Sequence, residues 1–507
     1  MWTEKTLSKK EVFLIFLVLS LFYVFPVIHA DYKYIDDNWR ALLLDGDSWR
    51  AQGRILLELT VKGLTFTSST VNIFPLPLLI SVFAIASAMT RITLRYFSLP
   101  TFTSCLVFLP ILCNPFFIGN LTYQYDGPAM VFAVVAAVYA IACNVKGVVL
   151  RNFCSVILIA IMFALYQLAV TVFVGLCVVD LVWSIRNKNS VKKAVLSVFQ
   201  RVVQLLVGGI VYFMSAYQLN DNGRGVIRQI DQGWIDSVWR KFFFAMKQVF
   251  LLFNIEVLFV AVIILVAAIA GYLLLMGNIF KMSGSVFGRW VLAGLYMSSV
   301  PVLVVCIPGA MLFLMEPNLD ARNYIGFSIV LVFLFLLSHE SLSRVSQRLT
   351  VFLMIPTLFM FSFCYAYGQV LVAKKELQLA MATFIGYDLV SRDELNTKKI
   401  FYFLGQKTAG NWIPSAHGAM SNMPVLRYIL SSSNTLLFPE FFPGLGITNV
   451  VNGGYAGFES EVEALKKQPC KSVVDNKFYT ICVVGDSGFI AIKDIVDPED
   501  YTERFRQ

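Results

Sequence analysis

Charge is what this sequence has least of. Only 14% of its 507 residues are Asp, Glu, Lys or Arg, and 58% are hydrophobic. A soluble domain carries about a quarter charged residues, so this balance makes the chain an integral membrane protein. Histidine is rarer still, with three residues, and no Cys/His cluster has zinc spacing. A Walker-type phosphate loop and a Rossmann glycine fingerprint are both missing, which argues against nucleotide chemistry. No internal repeat is visible.

Long apolar runs are what the chain has instead. The first, Val12–Ile28, is long enough to cross a bilayer and is flanked by Lys9 and Lys10. Many more runs follow, so it reads as a retained span and not as a cleaved signal peptide. Basic residues gather between the runs at Lys9/Lys10, Arg91/Arg95, Lys146/Arg151, Arg186/Lys188/Lys192/Lys193/Arg201, Lys281/Arg289 and Arg344/Arg348. Placing each cluster in the cytoplasm gives a consistent zigzag, as the positive-inside bias requires. The expected fold is a polytopic α-helical membrane protein with about eleven transmembrane helices, a span needing roughly 17–25 residues. They cover 11–29, 72–90, 97–118, 128–145, 152–165, 168–185, 202–218, 250–275, 291–312, 324–338 and 350–370. Tyr166-Gln167 breaks the run from Asn152 to Trp183 on the outer side.

With the N-terminus inside, the outward segments are 30–71, 119–127, 219–249, 313–323 and everything after about 371. Two domains follow: a transmembrane domain, 1–370, with a large first periplasmic loop at 30–71, and a periplasmic C-terminal α/β domain, 371–507. The tail holds 14 basic and 15 acidic residues, so the net charge of +9 belongs to the cytoplasmic loops and implies no nucleic-acid partner. Lys399–Leu404 and Lys477–Val484 read as strands and Ser460–Lys467 as a short helix. Gly485-Asp486-Ser487-Gly488 reads as a hairpin turn in preference to a hydrolase motif, since His417 is the tail's one histidine. Cys470 and Cys482 are the tail's two cysteines and can form a disulfide in an oxidising periplasm.

The outer polar residues carry the chemistry. Tyr34-Ile35-Asp36-Asp37-Asn38-Trp39-Arg40 holds two adjacent carboxylates and an arginine at the lip of the first span. Adjacent carboxylates repel, so such a pair serves to bind a cation, accept a proton or orient a hydroxyl; the bland alternative is a solvated loop. Arg50, Arg54 and Glu58 recur at i, i+4 and i+8, which places them on one face of a helix lying on the membrane, with Trp39 and Trp49 as interfacial anchors. Arg322 suits a phosphate oxygen, with structural pairing to Asp320 or Glu316 as the competing reading. Tyr123 and Asp126, in another short outer turn, suit a sugar. An enzyme whose polar groups all face outward has no access to ATP or sugar nucleotides, so an activated donor has to arrive attached to lipid.

The order of these motifs resembles a known family. Tyr34-Ile35-Asp36-Asp37 with Arg40, Trp49, Gly53-Arg54 and Asn72-Ile73-Phe74-Pro75-Leu76-Pro77-Leu78 come first. Asn114-Pro115-Phe116, Asn120-Leu121-Thr122-Tyr123 with Asp126, and Ala164-Leu165-Tyr166-Gln167 follow. Together they resemble the phage-type serotype-converting O-antigen glucosyltransferases, over the first 170 residues; the 371–507 tail carries no matching motif. The resemblance implies a GT-C-like fold in the bacterial inner membrane. It implies transfer of glucose from undecaprenyl-phosphate-glucose to the O-antigen repeat of lipopolysaccharide on the periplasmic face. A lipid-linked glucose synthase and flippase are then the suppliers of the donor. By the same resemblance the catalytic base falls on Asp36 or Asp37, with Asp36 favoured and Arg40 placed to pair with it. Arg40, Arg54 and Arg322 are assigned to the donor phosphate, and Tyr123, Asp126, Tyr166, Gln167 and Glu316 to substrate. A divalent cation is a possible cofactor and its need is open, since adjacent aspartates permit one without demanding it. The rival readings are a GT-C enzyme using another lipid-linked sugar or an acceptor such as lipid A or protein, a lipid-linked oligosaccharide transporter, and a non-catalytic assembly component.

Overall fold

A computed structural model describes residues 4–44, 49–220, 226–404, 413–431, 437–454 and 457–493. By compactness the chain divides into two units, Met1–Ile28 with Leu43–Tyr365, and His29–Leu42 with Ala366–Gln507.

The first unit is built from helices. In chain order they include α1 (Lys9–Ala30), α2 (Ile55–Thr65), α3 (Leu76–Tyr96), α4 (Asp126–Ala142), α5 (Val148–Leu165) and α6 (Val170–Arg186). They continue with α7 (Val191–Met214), α8 (Trp234–Phe250), α9 (Ile255–Phe280), α10 (Phe327–Val345) and α11 (Met354–Ser391), the last running on into the second unit. Among the described residues nine helical segments are long and apolar enough to cross a membrane. Sequence reading expects about eleven, and two of its runs differ for a physical reason.

The 97–118 run is not one helix. Thr101 starts a helix, Phe102–Phe108, with a capping box to Ser104, and Leu109–Ile111 then tightens into a 3-10 turn at Pro110. Asn114 turns the chain again, its Oδ1 accepting from the Phe117 N–H at 3.0 Å, before a short helix at Ile118–Thr122. The 128–145 run becomes α4, which has only 17 residues and is buried along most of its length. Its last carbonyls meet cations: Arg201 donates to Ala140 and Ile141 at 3.2 and 2.9 Å, and Arg91 to Ala142 at 3.2 Å. Guanidinium groups thus satisfy a helix C-terminus that would otherwise leave acceptors bare. Both runs are apolar because helices surround them, which hydropathy alone does not distinguish from lipid contact.

Helix contacts use small and hydroxyl side chains. Gly271 of α9 lies so close to α10 that a Cβ there would stand 2.1 Å from the Leu337 carbonyl oxygen. Ser338 and Ser341 of α10 donate to the Ile264 and Ala267 carbonyls of α9 at 3.0 and 2.6 Å. Charges carried inside are paired. Asp180 meets Arg95 at 2.8 Å and Arg201 at 3.3 Å, and Glu340 meets Arg186 at 2.8 Å and Arg344 at 2.9 Å.

The second unit centres on a five-stranded mixed sheet, ordered β2-β1-β5-β4-β3. Its strands are β1 (Ile400–Leu404), β2 (Val450–Asn452), β3 (Lys471–Asp475), β4 (Tyr479–Val484) and β5 (Ser487–Ile492). The β1 strand is parallel to both β2 and β5, and the β3-β4-β5 run is antiparallel. Met381, Ala382, Ile385 and Leu389 of α11 cover one face with Phe401, Phe403, Ile481 and Ile490. Helix α12 (Glu459–Lys466) covers the other through Val462, against Tyr402, Val484 and Phe489. The expected strands and helix fall within two residues of β1, β4 and α12. Gly485-Asp486 is the two-residue loop of the β4–β5 hairpin, with Gly485 at φ 57°. Cys470, just ahead of β3, is joined to Cys482 of β4, with the Cα atoms 5.6 Å apart.

Gly271→Ala is expected to destabilise the folded protein by about 1–3 kcal/mol, because the backbones of α9 and α10 must part. A thermal melt in detergent reads this, with Gly294→Ala, which meets nothing within 4 Å, as the neutral control.

Candidate active site

In the first unit, four of the expected site residues come together although up to 113 positions separate them in the chain. The loop before α2 is closed by Gly53 at φ 70°, a conformation that suits glycine. A Cβ at Gly53 would also stand 2.6 Å from the Tyr212 hydroxyl, which donates to the Gly53 carbonyl at 3.3 Å. Gln167 holds the same turn by donating Nε2 to the Gln52 carbonyl at 3.1 Å and to Tyr212 Oη at 3.0 Å. Arg54 follows the turn and leaves the course of α2. Its Nε donates to Gln167 Oε1 at 3.3 Å, its Nη1 lies 3.7 Å from Asp126 Oδ1, and its Cζ stands 5.4 Å from the Tyr166 ring centre.

Asp126 opens α4 and is buried. Its Oδ1 also accepts from Trp49 Nε1 at 3.1 Å. Tyr166 lies in the break between α5 and α6; its hydroxyl accepts from Asn120 Nδ2 at 3.4 Å and donates to Asn323 Oδ1 at 3.3 Å. Burial pushes the Tyr166 phenol up to about 12, so it stays a neutral donor near pH 7. Arg322 neighbours Asn323, lies 3.2 Å from Asp320 and stands 5.4 Å over the Tyr123 ring. The constellation therefore joins Arg54, Asp126, Tyr166 and Gln167 directly, with Tyr123 and Arg322 reached through the Asn323–Tyr166 bond. Glu316 is exposed and is not drawn in.

Two expectations need correction here. Trp49 is no interfacial anchor: it is 1% exposed and its indole N–H is spent on Asp126. Arg50, Arg54 and Glu58 do not line one helix face, because α2 begins only at Ile55 and the Gly53 turn swings Arg54 away. Arg50 still reaches Glu58 at 3.1 Å, and Lys62 meets the same carboxylate at 2.7 Å. Arg322 makes the pair with Asp320 that the sequence also allowed, at 3.2 Å. Asn120 stood in a quoted motif but was given no role, and Asn323 escaped the sequence assignment, hinted at only by its nearness to Arg322. Asn120 Oδ1 is buried without a hydrogen-bond partner among the described residues.

In the second unit, the Asp-Asp pair splits into unlike groups. Asp37 is fully buried, and its Oδ2 accepts from the Tyr34 N–H at 3.1 Å. Asp36 has a side chain 41% exposed and lies 3.3 Å from Arg40 Nη2. Arg40, only 2% exposed, is shielded from solvent and stacks its Cζ 5.3 Å from the Trp39 ring centre. Ile35, just before the pair, takes φ 48°, a strained conformation for a β-branched residue. Tyr34 ties this turn to the tail, its hydroxyl donating to the Ile429 carbonyl at 3.1 Å. Lys374, wholly buried with its Nζ 5.9 Å from the Tyr32 ring centre, is a cation that sequence reading missed. Among the described residues no three His, Cys, Asp or Glu side chains gather into a metal site.

A family model described as glucosyl transferase GtrII matches residues 25–338, more than half of the chain. The chain belongs to that family. The matched segment contains all the motifs from Tyr34 to Gln167 on which the resemblance to serotype-converting glucosyltransferases rests. This GtrII family member is also 29% identical over 211 residues to an uncharacterized 55.3 kDa protein in the gtrB 5' region of Salmonella phage P22. The alignment covers 41% of this chain and 43% of the phage protein, less than half the length of either. No solved structure matches.

The ion pairs around Glu58 give a pH signature. Burial pushes its carboxyl up, but Lys62 and Arg50 outweigh burial and hold it below its usual value of 4.5. A carboxyl lowered on folding stabilises the fold above its unfolded value, and that contribution is lost as pH falls through the lowered one. Glu58→Gln is therefore expected to lower the melting temperature at pH 7. The difference from the native chain is expected to shrink as the pH drops below 4.5, as melts across pH would read.

Proposed function

We propose that this protein transfers glucose from undecaprenyl-phosphate-glucose to the O-antigen repeat of lipopolysaccharide, at the periplasmic face of the bacterial inner membrane. The observation that carries the reading is the cluster of Arg54, Asp126, Tyr166 and Gln167 inside a GtrII family segment. It combines a cation for a phosphate with hydrogen-bonding groups and an aromatic ring for a sugar. Among the described residues the candidate spans number nine, an odd count that supports opposite sides for the N-terminus and the tail. The Cys470–Cys482 disulfide supports an oxidising compartment for the tail.

In this reading Asp36 is the general base, since of the two carboxylates it alone is open to an acceptor. Asp36 takes the acceptor hydroxyl proton, the new bond to the glucose anomeric carbon forms, and the bond from that carbon to the lipid phosphate breaks. Arg54 and Arg322 stabilise the departing phosphate. Asp37, sealed beneath the turn, positions Asp36. A lipid-linked glucose synthase and flippase supply the donor. A transporter reading is disfavoured because the buried carboxylates Asp180 and Glu340 are each neutralised by two arginines near helix ends.

Glucose transfer to O-antigen, measured in cells that make the lipid-linked donor and at matched membrane levels, tests the assignment. Asp36→Asn is expected to lower transfer by at least about 100-fold, as loss of a general base does. Arg54→Lys keeps the charge but loses the forked geometry, and is expected to lower transfer by about 10-fold or more. Full transfer by Asp36→Asn would remove the base from Asp36. No transfer by the native chain would point to another lipid-linked sugar or acceptor.

A further inference from the structure

The segment between α7 and α9 holds a helix that is not among the candidate spans and contributes no residue to the site. Helix α8, Trp234–Phe250, is held by one side only. Trp234 stacks on Phe313 with ring centres 6.1 Å apart, Arg228 N–H donates to the Phe313 carbonyl at 2.9 Å, and Lys241 donates to the Leu314 carbonyl. Ser237, Ala245 and Val249 are buried on that side. The opposite face shows Ile235, Trp239, Phe243 and Phe250, which are 53–69% exposed and spaced four, four and seven residues apart. Trp239 stacks on Phe243 at 5.6 Å, and the exposed cations Arg240 and Lys247 flank the row.

An exposed row of large apolar side chains is costly in water, and something covers it. Chain continuity says what. Phe250 is followed by only four residues before Ile255 opens α9, a 26-residue candidate span. Five Cα steps reach at most about 18 Å, so the C-terminal end of α8 stays within that distance of the start of a membrane-crossing helix. Tryptophan and phenylalanine beside arginine and lysine is the composition of a helix that lies in a bilayer interface.

We propose that α8 is a membrane-surface helix that docks on anionic phospholipid, with Ile235, Trp239, Phe243 and Phe250 in the acyl boundary and Arg240 and Lys247 at headgroup phosphates. Because α8 is fastened to residues 313–314, docking also fixes the start of the loop that carries Arg322 and Asn323. The inference concerns a lipid surface and stands whether or not the transferase reading holds.

The test uses the full chain reconstituted into vesicles that carry bromine either near the ester group or deep in the acyl chain. Tryptophan emission of the native protein minus that of Trp239→Phe isolates the signal of Trp239. The expected result is quenching that is strongest with shallow bromine. It should be roughly twofold greater with phosphatidylglycerol than with phosphatidylcholine, reflecting the attraction of each cation to an anionic surface. Arg240→Gln with Lys247→Gln keeps the Trp239 probe and is expected to abolish the lipid-charge dependence while shallow quenching persists. A Trp239 signal untouched by bromine would mean that water or protein covers this face, and would overturn the proposal. Quenching indifferent to lipid charge in the native protein would overturn the role of Arg240 and Lys247.

Discussion

Every charge that enters the apolar interior of the first unit has to be answered there. Asp180 stands between Arg95 and Arg201, Glu340 between Arg186 and Arg344, and Asp126 between Arg54 and the Trp49 indole. A lone buried charge costs several kcal/mol, so each carboxylate draws at least one cation from another segment and helps fix how those segments meet. Arg201 shows the economy of the arrangement: one guanidinium meets Asp180 and also closes the carbonyl end of α4. The same demand sets the candidate site, where an arginine that could have faced solvent from a surface helix is turned inward to Asp126 and Gln167.

The two carboxylate neighbourhoods divide the labour. Asp126 is buried and committed to protein partners, as suits a group that holds Arg54 in place. Asp36 is half exposed and lies against Arg40, which leaves its carboxylate in reach of solvent. Asp37 adjoins Asp36 in sequence yet sits in the opposite environment, closing the turn on Tyr34. The strained φ of Ile35 persists only because the surrounding bonds over-determine that turn.

Much of the design is legible in the residues alone. Scarce charge and repeated apolar runs establish a polytopic helical protein, and turn residues mark the tail's hairpin at Gly485-Asp486. Motif order from Tyr34 to Gln167 announces the glucosyltransferase family. The break at Tyr166-Gln167 is visible because two polar, bulky residues interrupt an otherwise continuous apolar stretch.

Other features depend on distances the sequence does not contain. Hydropathy reports that a run avoids water, without saying whether lipid or neighbouring helices replace the water; so 97–118 and α4 read like the lipid-facing runs although packing encloses them in protein. Periodicity placed Arg54 with Arg50 and Glu58, yet one left-handed glycine at position 53 sent it elsewhere. Trp49, Asp126, Arg54 and Gln167 meet because three separate segments converge, and that convergence is a property of the packed bundle. Residue types and their order thus determined the class, the family and the candidate chemistry. Which of those groups face one another was decided by tertiary packing, since side chains act through space at a few ångströms and the chain brings distant residues that close only when it folds.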